Sequence, residues 1–355
     1  MGDGVRFIRF ENILRFHEIV LKEVGLDHET CKAVALGLCE TSLRGVDSHG
    51  IRLLPHYVRS ALMGRKNPRP TYQFQKVFPA FGYLDADNTF GHAAGAKAID
   101  LAMPIAEECG LAAIAVVNSS HPGAMASYAL RAARQGYIGL AFTHADALLC
   151  SHGGKRAYFG TNPICMAAPR EESEPFCLDM APTTISWNKL LSYRDRQEEL
   201  PGKFAADKEG NQTDDPSVAT TLLPIGGYKG YGLAAMVEVL CGILTGMPFG
   251  RAIPAMFTAP METPRRLGQF YLVLRIDVCQ SQFDFKRRMQ QLTDEVRAEP
   301  SSPNGEVLLP NDPQIREEAK RRKEGIPVDR YLFKEFSKLS EQFGLDIEIL
   351  KEYPL

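Results

Sequence analysis

Leu111-Ala-Ala-Ile-Ala-Val-Val117, followed by Asn118-Ser119-Ser120-His121-Pro122-Gly123, decides how this chain is read. Seven apolar residues without a break predict a strand covered on both faces. A helical segment runs from Gly123 to Gln135 and is stopped by Gly136, and a second strand covers Ile138 to Phe142. Strand, helix and strand form a βαβ-like unit. A Rossmann dinucleotide site would need G-x-G-x-x-G at the first strand-to-helix turn, and this turn is polar with a histidine inside it. Mixed α and β structure follows, without that fingerprint. His121 sits directly after an apolar strand, where catalytic groups of α/β proteins are commonly carried; a strand-end histidine bonded to backbone would look the same.

Working outward, Glu11 to Val24 reads as a helix closed by Gly25. After Asp27 as cap, Cys31, Val34, Ala35, Leu38 and Cys39 recur at helical spacing and lead into the turn Arg44-Gly45-Val46-Asp47-Ser48-His49-Gly50. Gly91 to Cys109 is Ala-rich and helical, with Pro104 expected to kink or break it. Further strand-like runs cover Ile164 to Ala168, Phe176 to Met180 and Phe270 to Ile276, and a long apolar helix is expected over Tyr231 to Leu244. The segment Glu299 to Gly305, closed by Pro310 and Pro313, reads as a linker to two charged amphipathic helices.

With 355 residues, 45% hydrophobic and 24% charged, the chain has ample material for a core and a cleft. Forty-one basic against 43 acidic side chains leave a formal charge of −2, so nucleic acid and anionic membrane are not expected partners. Cys31, Cys39, Cys109, Cys150, Cys165, Cys177, Cys241 and Cys279 form no CxxC pair and read as reduced core thiols. No signal-peptide core opens the sequence and no apolar run reaches membrane-spanning length, so a cytoplasmic location is expected.

There is no P-loop, HExxH, GxSxG or EF-hand loop, which removes the commonest phosphoryl-transfer, zinc-protease, serine-hydrolase and calcium readings. His144 and His152 lack the spacing of metal ligands, and no metal is expected. Polar turns remain. Asp47-Ser48-His49-Gly50 offers a titratable imidazole beside glycine, although a solvated helix connection has the same composition. Gly160-Thr161-Asn162-Pro163 and Asp179-Met180-Ala181-Pro182-Thr183-Thr184 offer donors for ribose or phosphate, or simply capped turns. Gly226-Gly227-Tyr228-Lys229-Gly230-Tyr231-Gly232 places a lysine at a helix start, which suits an anion or close helix packing.

Taken in order, R-G-V-D-S-H-G-I (44–51), the His-Pro-Gly turn, G-T-N-P (160–163), L-D-M-A (178–181), T-D-D-P (213–216), L-L-P-I-G-G-Y-K-G-Y-G-L (222–233), L-G-Q-F (267–270) and E-G-I-P (324–327) closely resemble the malate/L-lactate/ureidoglycolate dehydrogenase family. The likeness covers essentially the whole chain. It implies an α/β (α+β) architecture: a central, mostly antiparallel cofactor sheet of non-Rossmann type, an N- and C-terminal helical domain, and a small helical insertion. Mapped here, these are 1–75 plus 300–355, 76–84 plus 111–299, and 85–110.

The resemblance also implies a homodimeric oxidoreductase moving hydride between NAD or NADP and a small 2-hydroxy or 2-oxo acid. A cyclic 2-imino carboxylate reductase, or a catalytically weakened nucleotide-binding homologue, are the alternatives. His49 and His121 match the family's two active-site histidines: one takes the hydroxyl proton while the other bonds the developing carbonyl. Ser48 and Arg52 are expected at the substrate, and Asn162, Asp179, Met180, Ala181 and Lys229 at the dinucleotide. Three positions depart from the pattern. Leu53 holds the slot of the usual carboxylate-clamping arginine, with Arg52 one step earlier, roughly 100° round a helix; His144-Ala145 replaces Asn-Ser; and Pro182 replaces threonine. Trp187 and Met247-Pro248-Phe249-Gly250-Arg251 resemble the ureidoglycolate branch.

Overall fold

The computed structural model describes residues 4–171 and 174–351. Its centre is a seven-stranded sheet built from β2 (Gln73–Phe78), β3 (Phe81–Asp85), β4 (Leu111–Ser119), β5 (Tyr137–Thr143), β8 (Ile164–Ala168), β9 (Phe176–Met180) and β13 (Leu267–Arg275). The order is β2-β3-β4-β13-β5-β8-β9, and only β3 and β4 run parallel. The βαβ-like unit read from sequence is β4, helix α5 (Ala126–Ala133) and β5, but β13 lies between its two strands and is antiparallel to both. A strand from far downstream completes the pairing, which converts an apparently parallel unit into the mostly antiparallel sheet.

Helix α4 (Gly91–Cys109) and α5 cover one face of this sheet. Ala94, Ala98, Ala102 and Ala106 let α4 approach closely, and they share a fully apolar cluster with Ile114, Val116, Tyr271 and Val273. The segment expected as a separate insertion at 85–110 therefore packs as part of the sheet's own core. Pro104 does not break α4: it lies on the exposed side, where water can reach the carbonyl it leaves free.

The opposite face carries α7 (Tyr228–Glu238), whose Val237 and following Cys241 pack on Phe142 and Phe270. Instead of one helix to Leu244, the chain widens into a π-turn at Val239–Ile243. Strand β13 passes so close that a Cβ on Gly268 would stand 1.8 Å from the Cys241 carbonyl oxygen.

A second core joins the chain ends. Helices α1 (Phe10–Glu23), α2 (His28–Leu43) and α3 (Leu54–Leu62) bury Ile13, Phe16, Val20, Leu38 and Tyr57 against Phe336 and Leu339 of α10 (Arg330–Phe343). Asp27 caps α2 as expected, accepting from the Thr30 amide at 2.8 Å. Strand β1 (Arg6–Ile8) pairs with β14 (Ile326–Val328), and α9 (Asp312–Glu324) packs on α2. A small sheet, β11-β10-β12-β6-β7 (Gln212–Thr213, Ala205–Ala206, Thr221–Leu222, Leu149–Cys150, Ala157–Phe159), supports α6 (Trp187–Arg196) through Ile185, Leu190 and Leu222. After α8 (Gln282–Arg297), residues 299–311 are irregular as read, but they are more than a linker: Leu308, Leu309 and Pro310 wall the main cavity. Among the described residues no helix is long and apolar enough to cross a membrane, and all eight cysteines are free thiols.

Candidate active site

A cavity of about 640 Å³ opens between the first helical unit, the ends of β4 and β9, α6 and the loop preceding β13. Ser48, His49, His121, Asp179, Met180 and Ala181 all line it.

His49 ends the short turn Asp47–His49 that follows α2. The turn is clamped from outside by Arg321 of α9, whose guanidinium donates to both Asp47 carboxylate oxygens at 2.7 and 2.9 Å. Inside it, the Ser48 hydroxyl lies 2.8 Å from His49 Nδ1. When Ser48 donates, the proton of the neutral ring is fixed on Nε2, which makes that nitrogen a donor. Burial lowers the His49 pKa to about 4.

His121 follows β4. The junction is held by Ser120, whose hydroxyl donates to Thr89 O at 2.9 Å and accepts from the Gly91 amide at 3.0 Å, and by Gln269, which donates to Ser119 Oγ at 2.9 Å. Gly123 has φ +73°, and a Cβ there would stand 2.4 Å from His92 Nε2, so only glycine lets the turn close over His92. The two catalytic candidates stack with ring centroids 5.5 Å apart. Tyr57 of α3 lies behind them, its hydroxyl 2.8 Å from His121 Nδ1 and 3.3 Å from the His121 carbonyl oxygen. Burial, reinforced by the positive character of His49, Arg265, His92 and Lys66, pushes the His121 pKa well below the ordinary histidine value. Lys66 Nζ is buried 3.5 Å from the Tyr57 ring centroid and has no hydrogen-bond partner.

Arg52 does not join this group. In the turn Ile51–Leu53 its neighbours Ile51 and Leu53 point into the core, so the residue between them points out, half-exposed and 3.8 Å from Asp329. Leu53 lines the cavity. The arginine that does line it beside the histidines is Arg265, 2% exposed, which the sequence did not single out. Its Nε donates to Pro254 O at 2.9 Å and its Nη2 pairs with Asp146, while Nη1 has no acceptor.

Asn162 is fully buried and used up within the fold: its Nδ2 donates to Ala234 O at 2.9 Å and Glu238 Oε2 at 2.7 Å, and its Oδ1 accepts from the Ala145 amide at 3.2 Å. His144 belongs to the same buried knot, accepting from the Gly268 amide at 2.8 Å and facing Glu238 at 3.7 Å. Lys229 lies in the exposed first turn of α7, outside the cavity wall. Asp179 accepts from the Ala126 amide of α5 at 2.8 Å through one oxygen; burial raises its pKa to about 6, opposed by that bond and by Arg44. Trp187 and Asn188 complete the wall, Asn188 donating to Ser48 O at 2.8 Å. Among the described residues no cluster of His, Cys, Asp and Glu could hold a metal.

The donor set fits a dinucleotide. The volume is ordinary for a cofactor cleft, Met125, Leu148, Leu178 and Met180 give apolar walls for flat rings, and Asp179 keeps one carboxylate oxygen for a sugar hydroxyl.

Residues 8–337 match the family described as malate/L-lactate dehydrogenase. Ureidoglycolate dehydrogenase (NAD(+)) of Escherichia coli strain K12 is 33% identical over 319 residues, 90% of this chain and 91% of that protein. The solved sulfolactate dehydrogenase of Methanocaldococcus jannaschii superposes with a TM-score of 0.90 at 31% identity, covering 96% of this chain and 98% of the other. The solved delta1-piperideine-2-carboxylate reductase of Pseudomonas syringae pvar. tomato gives a TM-score of 0.85 at 27% identity, covering 94% and 99%.

Proposed function

The chain belongs to the malate/L-lactate dehydrogenase family, and we propose that its cavity oxidises a small 2-hydroxy acid, and reduces the corresponding 2-oxo acid, with NAD. The observation that carries this reading is the meeting of two stacked, neutral-tending histidines with a buried arginine that lacks an acceptor for Nη1.

A nicotinamide, when bound, supplies the hydride acceptor. The chain's own groups do the rest. Arg265 holds the substrate carboxylate, which gives Nη1 the acceptor it lacks. His121 takes the hydroxyl proton at Nε2: its Nδ1–H donates to Tyr57, whose own hydroxyl proton turns to the His121 carbonyl, and this arrangement leaves Nε2 free as a base. His49, set by Ser48 to carry its proton on Nε2, donates to the oxygen as it becomes a carbonyl. Asp179, Met180 and Ala181 form the dinucleotide wall, and Lys229 with the α7 N-terminus serves the cofactor's anionic groups from outside it. NADP as a second cofactor, a cytoplasmic location and a homodimer belong to the same proposal. The exposed apolar side of α7 and its π-turn, with Tyr228, Met236, Val239, Ile243 and Leu244, suits burial against a second copy.

The test follows nicotinamide absorbance with NAD(H) and NADP(H) over 2-hydroxy and 2-oxo acids. Turnover that is lost in His121→Ala supports the reading; no turnover with any acid contradicts it. The likeness to the piperideine-carboxylate reductase supports a second reading, reduction of a cyclic 2-imino carboxylate, and the cyclic imine belongs in the same panel.

A further inference from the structure

Resting on that reading, we propose that the substrate is a monocarboxylate whose body beyond the reacting carbon is uncharged and apolar, and that the site rejects dianionic acids. The cavity's charged lining consists of Glu40, Arg44, Arg134, Asp146, Asp179 and Arg265, three acids against three guanidinium groups. Arg44 spends its charge on Asn311 and Glu318, and Arg134 on Glu174. Arg265 is the one of the three with a buried guanidinium nitrogen that lacks a partner, and Asp146 already offsets its charge. The two histidines lose their charge through burial and add none near neutral pH. One carboxylate is therefore matched by the one buried spare donor beside the histidines, and a second anionic group there would enter without a buried counter-ion.

The walls beside the histidines agree. Leu53 ends the turn Ile51–Leu53 that comes after the His49 turn, and Trp187 is brought next to the His49 turn by Asn188, which bonds Ser48. Met256 and Phe257 sit on the loop that ends in Arg265, fastened by Arg65, whose Nη1 donates to Met256 O at 2.8 Å, and by the edge-on contact of Phe257 with His56 at 5.1 Å between ring centroids. Leu53 and Met256 belong to one buried apolar cluster. Leu53, Trp187, Met256 and Phe257 thus give the wall beside the histidines a mainly apolar surface for the substrate's third carbon and beyond. Each methylene placed there gains affinity, while a charged tail forfeits its hydration.

The purified enzyme is assayed in the reductive direction with pyruvate, 2-oxobutyrate, 2-oxo-4-methylpentanoate, phenylpyruvate, oxaloacetate, sulfopyruvate and 2-oxoglutarate, using both reduced cofactors. The expected result is kcat/KM rising with apolar bulk and exceeding that for each dianion by about 10²-fold or more. Phe257→Arg, a change at a half-exposed rim position that leaves the core untouched, should raise the oxaloacetate to 2-oxo-4-methylpentanoate ratio by at least about tenfold. Preference of the wild-type enzyme for any dianion, or for an acid with a hydrogen-bonding tail, overturns this inference and leaves the hydroxy-acid reading standing. Absence of turnover with every acid overturns both.

Discussion

Arg52 and Arg265 each stand where a carboxylate clamp is wanted, one by sequence and the other in space. Arg52 is three residues from His49, yet the turn Ile51–Leu53 seats its two hydrophobic members in the core and sends the arginine out toward Asp329. Arg265 is far along the chain from both histidines, but Pro254 and Asp146 hold its guanidinium in the wall of their cavity. A short turn spends its sequence neighbours on alternating directions, whereas a loop anchored at several points can deliver a buried charge to a site built by other elements. What decides a functional residue here is which partners a side chain has already satisfied, not its distance along the chain from the base.

The largest effect is expected at the base: His121→Ala should lower kcat by about 10²–10⁴-fold with the circular dichroism spectrum unchanged, and near-full turnover would remove His121 from the reaction. His49→Ala removes a donor to the developing carbonyl and should cost about 10²-fold in kcat, with the larger part of the loss in kcat rather than in KM. Tyr57→Phe leaves the ring in place but removes the hydroxyl bonded to His121, so a loss of about tenfold in kcat is expected; unchanged kinetics would show that His121 needs no orienting partner.

The exterior region is read by binding. Trp187, the single tryptophan, lines the cavity, so its fluorescence should fall as NADH fills the cleft. Titrated this way, Lys229→Ala should weaken NADH by about tenfold with little change in thermal stability, and an unaltered dissociation constant would confine the cofactor's contacts to the cavity wall.

The smallest effect is on the fold. His17 and His49 are lowered to about 4 and His56 and His92 to about 3 by burial, against 6.5 when unfolded. Between those values the unfolded chain binds more protons, so their contribution to stability is present above pH 6.5 and is lost as pH falls toward 4. Asp179, raised to about 6, and Glu40, also raised by burial, work in the opposite direction but are two groups against four. The melting temperature should therefore drop by roughly 5 °C or more between pH 7 and pH 5. A flat or rising profile would mean that these rings are already hydrated.

The sequence foretold five of the seven strands of the central sheet, most of the helices and both histidine turns, because apolar runs, caps and glycine stops are local signals. It could not show that β13 separates β4 from β5, since pairing across the chain leaves no periodicity in either strand. It pointed to His49, His121 and Asp179 through motifs at element ends, and all three line one cavity. Asn162 looked like a ligand contact because it stands in a polar turn, but its amide is consumed by Glu238, Ala234 and Ala145. Tyr57 and Arg265 carried no signal: one sits in an ordinary amphipathic helix, and the other is half of the pair Arg265-Arg266, of which burial alone distinguishes the member that lines the cavity.

The two arginines are told apart by the Michaelis constant of the best 2-oxo acid in Arg265→Lys and Arg52→Lys, measured side by side with the NADH dissociation constant. Lysine keeps the charge but loses the planar fork that Pro254, Asp146 and a carboxylate share. Arg265→Lys is expected to raise KM by at least about tenfold while NADH binding holds, and Arg52→Lys to change neither by more than about twofold. The reverse outcome, with Arg52 sensitive and Arg265 silent, would contradict Arg265's role at the carboxylate.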